Sequence, residues 1–305
     1  MKKGDAHLRE KPRVIYAFIQ DHGEEFSIAK MCNVLKVSKS GYYAWLKRAK
    51  APLTEKQRQD KVLAQTIFQA FVKNLGVYGS PRIHAELQAR QYHVSQKKVA
   101  NMMRELGLKA TPPKVKFTKK KQATPHASYE NIVASQFKVG QINQVWVADI
   151  TYIRTEEGWL YLATLMDIGS RKIVGWAMAD HMETSLIKEA LKHALSVRKP
   201  AKGWIHHSDQ GSQYTSQDYT QLLEKEAAQI SMSHKGRPGD NACMEAFHST
   251  IKKECIYRQS IETIQEGKKL VEHYIVYFYN ERRRHSSLGY LSPNQYERQL
   301  LQTTA

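Results

Sequence analysis

Cysteine is scarce in this 305-residue chain. Cys32, Cys243 and Cys255 are too few and too scattered for a disulfide framework or a zinc site, so a reducing cytoplasm is expected. There is no run of about 18 apolar residues, so no membrane-spanning helix is expected. The opening MKKGDAHLREK lacks the apolar stretch of a secretory signal. No repeat recurs at a period of 20–50 residues, as a solenoid would require. Acidic residues are short in one half only. Residues 1–142 hold 27 Lys and Arg against 10 Asp and Glu, whereas residues 143–305 hold 20 against 19. The first half therefore reads as a polyanion-binding module beside a near-neutral domain. A solubilising basic surface is the plainer alternative.

At about 100–200 residues per domain, the length suggests two or three domains. Residues 8–50 read as short helices. Ile28, Met31, Cys32 and Leu35 are spaced for a buried helical face. Val37-Ser38 makes a turn and cap, and the next helix carries Tyr42, Tyr43, Trp45 and Leu46. This pattern suits a helix-turn-helix over residues 1–52, with Lys36, Lys39 and Lys47 as DNA contacts. A plain helical hairpin would show much of the same pattern. Residues 53–110 form a second helical unit, with helices near 57–74, Pro81–Gln91 and 95–106. Residues 111–142 read as a linker, in which Lys119, Lys120 and Lys121 are either a strap over DNA phosphates or a solvated charge run.

From residue 143 the texture changes. Val145–Ile153, Trp159–Ile168 and Ile173–Met178 read as antiparallel strands, with a hairpin turn at Thr155–Gly158. Thr184 is placed to cap a helix reaching Val197. Strands near 204–208 and 229–233, with a helix near 216–226 between them, complete a mixed five-stranded α/β sheet flanked by helices. The core is expected over 143–262 and a helical extension over 263–305, opening with a long helix near 263–282.

Asp149 lies inside the apolar strand segment Val147–Tyr152, where an acid is costly unless paired or metal-bound. Asp209 follows the fourth strand. Neighbouring strand ends lie about 5 Å apart per strand, so the two carboxylates can converge. Glu245 falls on a helix opened by Asp240 or Asn241 after the breakers Gly236, Pro238 and Gly239. Met244, Phe247, Ile251 and Cys255 make that helix's apolar stripe, while Glu245, Ser249 and Lys252 share an adjacent one. Three carboxylates without a Cys pair or His cluster favour a hard cation, Mg²⁺. Two such ions can support an in-line phosphoryl displacement. His206 and His207 read as structural hydrogen-bonding residues.

These residues carry a resemblance. Trp146–Tyr152, His207–Tyr214 and Lys235–Glu245 resemble the DDE catalytic core of retroviral integrases and insertion-sequence transposases. The 35 residues between Asp209 and Glu245 and the position of Lys252 seven residues past Glu245 match that family. Tyr279–Pro293, Tyr78–Arg82 and the N-terminal helix-turn-helix are similar to the OrfB-type proteins of copy-out-paste-in elements. The resemblance implies a ribonuclease-H-like fold and a catalytic triad of Asp149, Asp209 and Glu245. It also implies two Mg²⁺ ions, for which Mn²⁺ can substitute, and phosphate or DNA contacts at Lys252 and Arg237. The reaction implied is cleavage at terminal inverted repeats followed by 3′-hydroxyl strand transfer into target DNA. The implied partners are further copies of the chain and an upstream OrfA protein, joined by frameshift fusion or separate. The zinc-binding His/Cys module of retroviral integrases is missing. A non-catalytic regulator of transposition and a structure-specific nuclease on the same fold are the competing readings.

Overall fold

The computed structural model describes residues 12–110, 129–133, 141–234 and 241–303. Lys119, Lys120, Lys121 and Arg237 lie outside them. The chain divides into two compact units, residues 1–65 and 66–305.

In the first unit, α1 (Pro12–Asp21), α2 (Ile28–Val34) and α3 (Lys39–Lys50) bury Ile15, Ile19, Met31, Cys32 and Tyr42 against one another. The turn from α2 to α3 is tight. Lys36 is left-handed, with φ of 55°, and the Ser38 hydroxyl accepts from the Gly41 N–H at 3.0 Å. Three cations in the last turn of α3 (Lys47, Arg48, Lys50) complement the helix dipole. The expected turn and cap are therefore present, and Lys36, Lys39 and Lys47 are all exposed. α4 (Glu55–Lys73) runs on from this unit into the second.

The second unit opens with the end of α4, then α5 (Ser80–Ala89) and α6 (Gln96–Glu105). Pro81 sits in the first turn of α5, where its missing N–H costs nothing. Ser95 caps α6 by accepting from the Lys98 N–H at 3.3 Å. Ile83, Leu87, Val99 and Met103 are buried.

The sheet follows. β1 (Val145–Arg154), β2 (Trp159–Asp167) and β3 (Ile173–Ala179) pair antiparallel, and β4 (Ile205–Ser208) and β5 (Gln229–Met232) join in parallel. The order is β3-β2-β1-β4-β5. Adjacent strand residues face opposite ways. Trp146, Ala148, Ala163, Leu165 and Val174 therefore bury one face under α7 (Thr184–Val197) and α8 (Gln217–Lys225). Leu186, Ile187, Ala190, Leu191 and Ala194 supply the stripe expected of α7, although Thr184 is its first residue and Glu183 its cap. Gly175 permits close seating of that helix: a Cβ there would stand 2.4 Å from the Ala190 carbonyl oxygen. The other face receives α9 (Ala242–Glu254), which buries Met244, Phe247, His248 and Ile251.

The long helix expected at 263–282 is two pieces, α10 (Ile264–His273) and a π-helical segment, Tyr274–Asn280. The wider turn brings Tyr274, Ile275, Phe278, Tyr279 and Asn280 inward together, more than one α-helical face could bury. The Asn280 amide then acts as a strand substitute, accepting from the Ile173 N–H at 3.0 Å and donating to its carbonyl at 2.9 Å. α11 (Pro293–Thr303) ends the described chain.

The stretch between these helices is a polar clasp. Arg283 makes two 2.8 Å bonds to Glu254 at the end of α9. Arg284 reaches Glu86 of α5 at 2.8 Å. The Tyr78 hydroxyl donates to the Arg282 carbonyl at 3.1 Å and accepts from the Arg284 N–H at 2.8 Å. Glu297 binds Arg198, Lys172 and Ser170. Removing one partner of a buried pair leaves an uncompensated charge. Arg283→Ala is therefore expected to destabilise the second unit by about 3–5 kcal/mol, and Glu254→Ala by a similar amount. Denaturant unfolding of both singles and the double checks this; independent, additive losses would remove the pair's role.

Candidate functional site

β1 and β4 pair in parallel, with Val147 opposite His207. Asp149 stands two residues beyond that pair within β1, on the face that carries α9, and Asp209 stands two residues beyond it, just past the end of β4. On the other side of β1 the β2 ladder continues past this level, with Thr164 opposite Asp149. β4 stops at Ser208. The chain then turns so that the Gly211 N–H donates to Asp209 Oδ1 at 3.0 Å. A Cβ on Gly211 would stand 3.0 Å from that same oxygen, so glycine permits the close approach.

Glu245 is brought to this level by α9. Asn241, at the helix start, does not cap it. Its amide instead donates to the Ala148 carbonyl at 3.1 Å, pinning the helix beside Asp149. His248, three residues past Glu245 and so on a neighbouring face, lies 3.3 Å from Asp149 Oδ2 through Nδ1. Its Nε2 meets the Thr164 hydroxyl at 3.0 Å. Thr164, His248 and Asp149 form a chain from β2 through α9 to β1. Sequence reasoning missed His248; its three-residue spacing from Glu245 was the available signal.

The three acids are electrostatically coupled. Burial, reinforced by Asp149, pushes Asp209 up to about 6 against the Gly211 N–H. Glu245 is raised by burial and by Asp149, with His248 opposing. Asp149 thus interacts with both others. The acids do not close into a ligand set: among the described residues, no three His, Cys, Asp or Glu side chains group around one position. Tyr214 lies in the same field, its acidity suppressed by burial, Asp149, Tyr219 and Asp209. Its hydroxyl is buried without a hydrogen-bond partner.

His206 and His207 are structural. His206 Nε2 meets the Tyr219 hydroxyl at 2.9 Å. His207 bridges the Ser231 and Ser233 hydroxyls at 2.8 and 3.2 Å. Lys252 shares the Glu245 side of α9 and lies over the Tyr152 ring, 4.7 Å from its centroid. Lys36, Lys39 and Lys47 belong to the other compact unit.

A carboxylate whose folded pKa exceeds its unfolded value near 3.8 binds more protons when folded. Its ionisation costs stability as pH rises from about 4 through about 6, and the cost is complete above that window. In metal-chelated buffer at pH 7.5, Asp209→Asn is expected to be more stable than the parent by about 1–2 kcal/mol. The difference should vanish towards pH 4. Urea titrations across that range test it; equal stability at pH 7.5 would mean the carboxylate is not strained.

The comparisons agree with this architecture. Integrase core domain models match residues 141–238 and 226–293, and a model described as an HTH-like domain matches residues 57–116. Transposase InsF for insertion sequence IS3A of Escherichia coli (strain K12) is 39% identical over 282 residues, covering 92% of this chain and 98% of that protein. A 31 kDa protein of insertion element IS600 from Shigella sonnei is 36% identical, covering 90% and 100%. Among solved structures, the HTLV-2 integrase catalytic core domain in complex with magnesium is similar at 14% identity. That match has a TM-score of 0.38 and covers 51% of this chain and 96% of that one. The ribonuclease-H-like expectation for the sheet holds, as does the transposase resemblance. The chain belongs to the OrfB-type transposases of the IS3 family, enzymes of DNA transposition and integration.

Proposed function

We propose that Asp149, Asp209 and Glu245 are the catalytic, metal-binding residues of a strand-transferring polynucleotidyl transferase. The observation that carries this reading is the matched register of Asp149 and Asp209 beyond the β1–β4 pairing, with α9 tied to the same point through Asn241 and His248. The donor set suits Mg²⁺ or Mn²⁺. It is all oxygen, and Asp209 and Glu245 are held above their ordinary range by burial and by Asp149. Such a cluster is short of positive charge. Two bound ions would supply Lewis-acid activation of the attacking oxygen and stabilise the leaving one.

The chain's own contribution is positioning. His248 holds one oxygen of Asp149 and the Ile150 N–H the other. Gly211 holds one oxygen of Asp209. Lys252, with Arg237 before α9, neutralises the scissile strand's phosphates. The substrates are the element's terminal inverted repeats and target DNA. We assign residues 1–52 and 53–110 to DNA binding, 111–142 (with Lys119, Lys120 and Lys121) to a basic linker, 143–262 to catalysis and 263–305 to the helical extension. The working assembly is a homo-oligomer with an upstream OrfA partner or fusion, acting in the bacterial cytoplasm on the nucleoid.

Asp209→Asn and Glu245→Gln are each expected to lower Mg²⁺-dependent cleavage and strand transfer at least 1,000-fold in the complete transposase, on the order of 4 kcal/mol of barrier. DNA binding in EDTA should persist. Wild-type strand transfer by either variant removes that residue from the triad. Cleavage without joining by the parent favours the nuclease reading. Charge reversal at Lys36, Lys39 and Lys47 together should weaken terminal-repeat binding and flatten its salt dependence by about 2–3 in logarithmic slope. Unchanged affinity across a salt series removes those lysines from the interface.

A further inference from the structure

The flank of α9 turned away from Glu245 carries a second charged feature. A pocket of about 340 Å³ opens there, lined by Arg82 of α5, Arg171 of the β2–β3 turn and Arg283 of the clasp, with Cys243, Thr250 and Ser286 among its polar neighbours. Among the described residues that line it, none is acidic. A recess of about 210 Å³ shares Arg82, Thr250 and Arg283 and adds Lys253 and Arg258. Glu254, its single acid, is already bonded to Arg283 and 3.5 Å from Arg82. Five cations from four separate chain segments thus border one continuous depression against one carboxylate.

These groups carry like charges and lie close together. Burial and the Arg283 charge weaken the hold of Arg82 on its proton, with Glu254 opposing. His285, which also lines the pocket, is driven well below its ordinary range by burial and by Arg283, Arg82 and Arg171. Arg171 is held left-handed at φ of 60°, while its guanidinium donates to the Cys243 thiol. The first residues of α9, Ala242 and Cys243, line the same pocket and add the positive end of the helix dipole. Phe247 and Tyr279 also border it, but they pack edge to face on each other at 4.7 Å and are buried. The pocket therefore offers charge and hydroxyls rather than a stacking platform for a base.

We propose that this depression is a second DNA-backbone site. It would bind phosphodiester groups through Arg171, Lys253 and Arg258, with Arg82 behind them. It rests on the strand-transfer reading only in taking DNA as the polyanion. Glu245 and the depression lie on opposite flanks of one helix, so α9 would be gripped between the strand being processed and a second stretch of DNA.

The test uses the full chain carrying Glu245→Gln, so that binding is read without cleavage. Fluorescence anisotropy with a terminal-repeat duplex is followed from 50 to 200 mM salt. Arg171→Gln, Lys253→Gln and Arg258→Gln together are expected to reduce the logarithmic salt slope by about 2–3, since each duplex phosphate contact contributes about 0.9. Affinity at 100 mM salt should fall at least tenfold. Arg171→Lys alone should keep the slope, since it retains the charge, and guards against misfolding of the triple variant. An unchanged slope and affinity in a folded triple variant overturns the proposal. So does protection of the parent by inorganic phosphate with no effect of the triple on DNA, which would make the pocket a small-anion site. Failure of the catalytic reading would show separately, as strand transfer retained by Glu245→Gln.

Discussion

Four segments of the second unit meet at one carboxylate. Glu254 ends α9, where the helix dipole makes a negative charge unwelcome. It accepts two bonds from Arg283, one from the Tyr274 hydroxyl at 2.8 Å, and lies 3.5 Å from Arg82. Arg283 is held strongly protonated by that partner despite its burial. The other end of α9 is pinned by Asn241 to β1. A helix fixed at both ends cannot slide or roll, and Glu245 sits between the two anchors. The Tyr279–Pro293 stretch therefore sets the far end of the helix that presents Glu245 without touching that residue.

The acids themselves pull the other way. Burial and the Asp149 charge raise the pKa of both Asp209 and Glu245, and the folded chain holds them there against that cost. The surrounding structure supplies the compensation. β1 is laddered on both sides. The buried aromatics Trp146 and Trp204 pack at 4.6 Å beneath the same strands. The Thr164–His248 contact fixes the helix to β2. A site strained in this way is what a stable scaffold allows and what a binding cation would relieve.

Much of this was legible in the sequence because it follows a period. The strands alternate, α7 carries its stripe at three and four, and the α9 stripe of Met244, Phe247, Ile251 and Cys255 is buried as spaced. Asp149 stood out because an acid in an apolar strand needs a reason. What escaped was set by long-range geometry. His248 looks like an ordinary helical histidine until β1 and β2 are placed under it. The wide turn at Tyr274–Asn280 has no local signal beyond a run of aromatics. Asn241 reads as a cap by type, yet its amide is spent on the Ala148 carbonyl, a choice decided by the sheet and not by the helix. The Arg282–Arg284 run is a solvated charge cluster by composition. Arg283 and Arg284 are nevertheless buried, because Glu254 and Glu86 lie opposite them, while Arg282 stays exposed.

The clasp also ties α5 to α9. α5 and α6 belong to the segment matched by the HTH-like model, and Arg284 joins Glu86 of α5 to the stretch that anchors α9. Tyr78, fully buried before α5, exchanges two backbone hydrogen bonds with the same stretch. These contacts span about 200 residues of sequence yet are short and mostly shielded from water, so they hold against screening by salt. A helix pair referenced to α9 through such bonds has little freedom to vary its distance from Glu245. If α5 and α6 contact DNA, as proposed above, the spacing between a recognised sequence and a cut phosphate is a property of the fold.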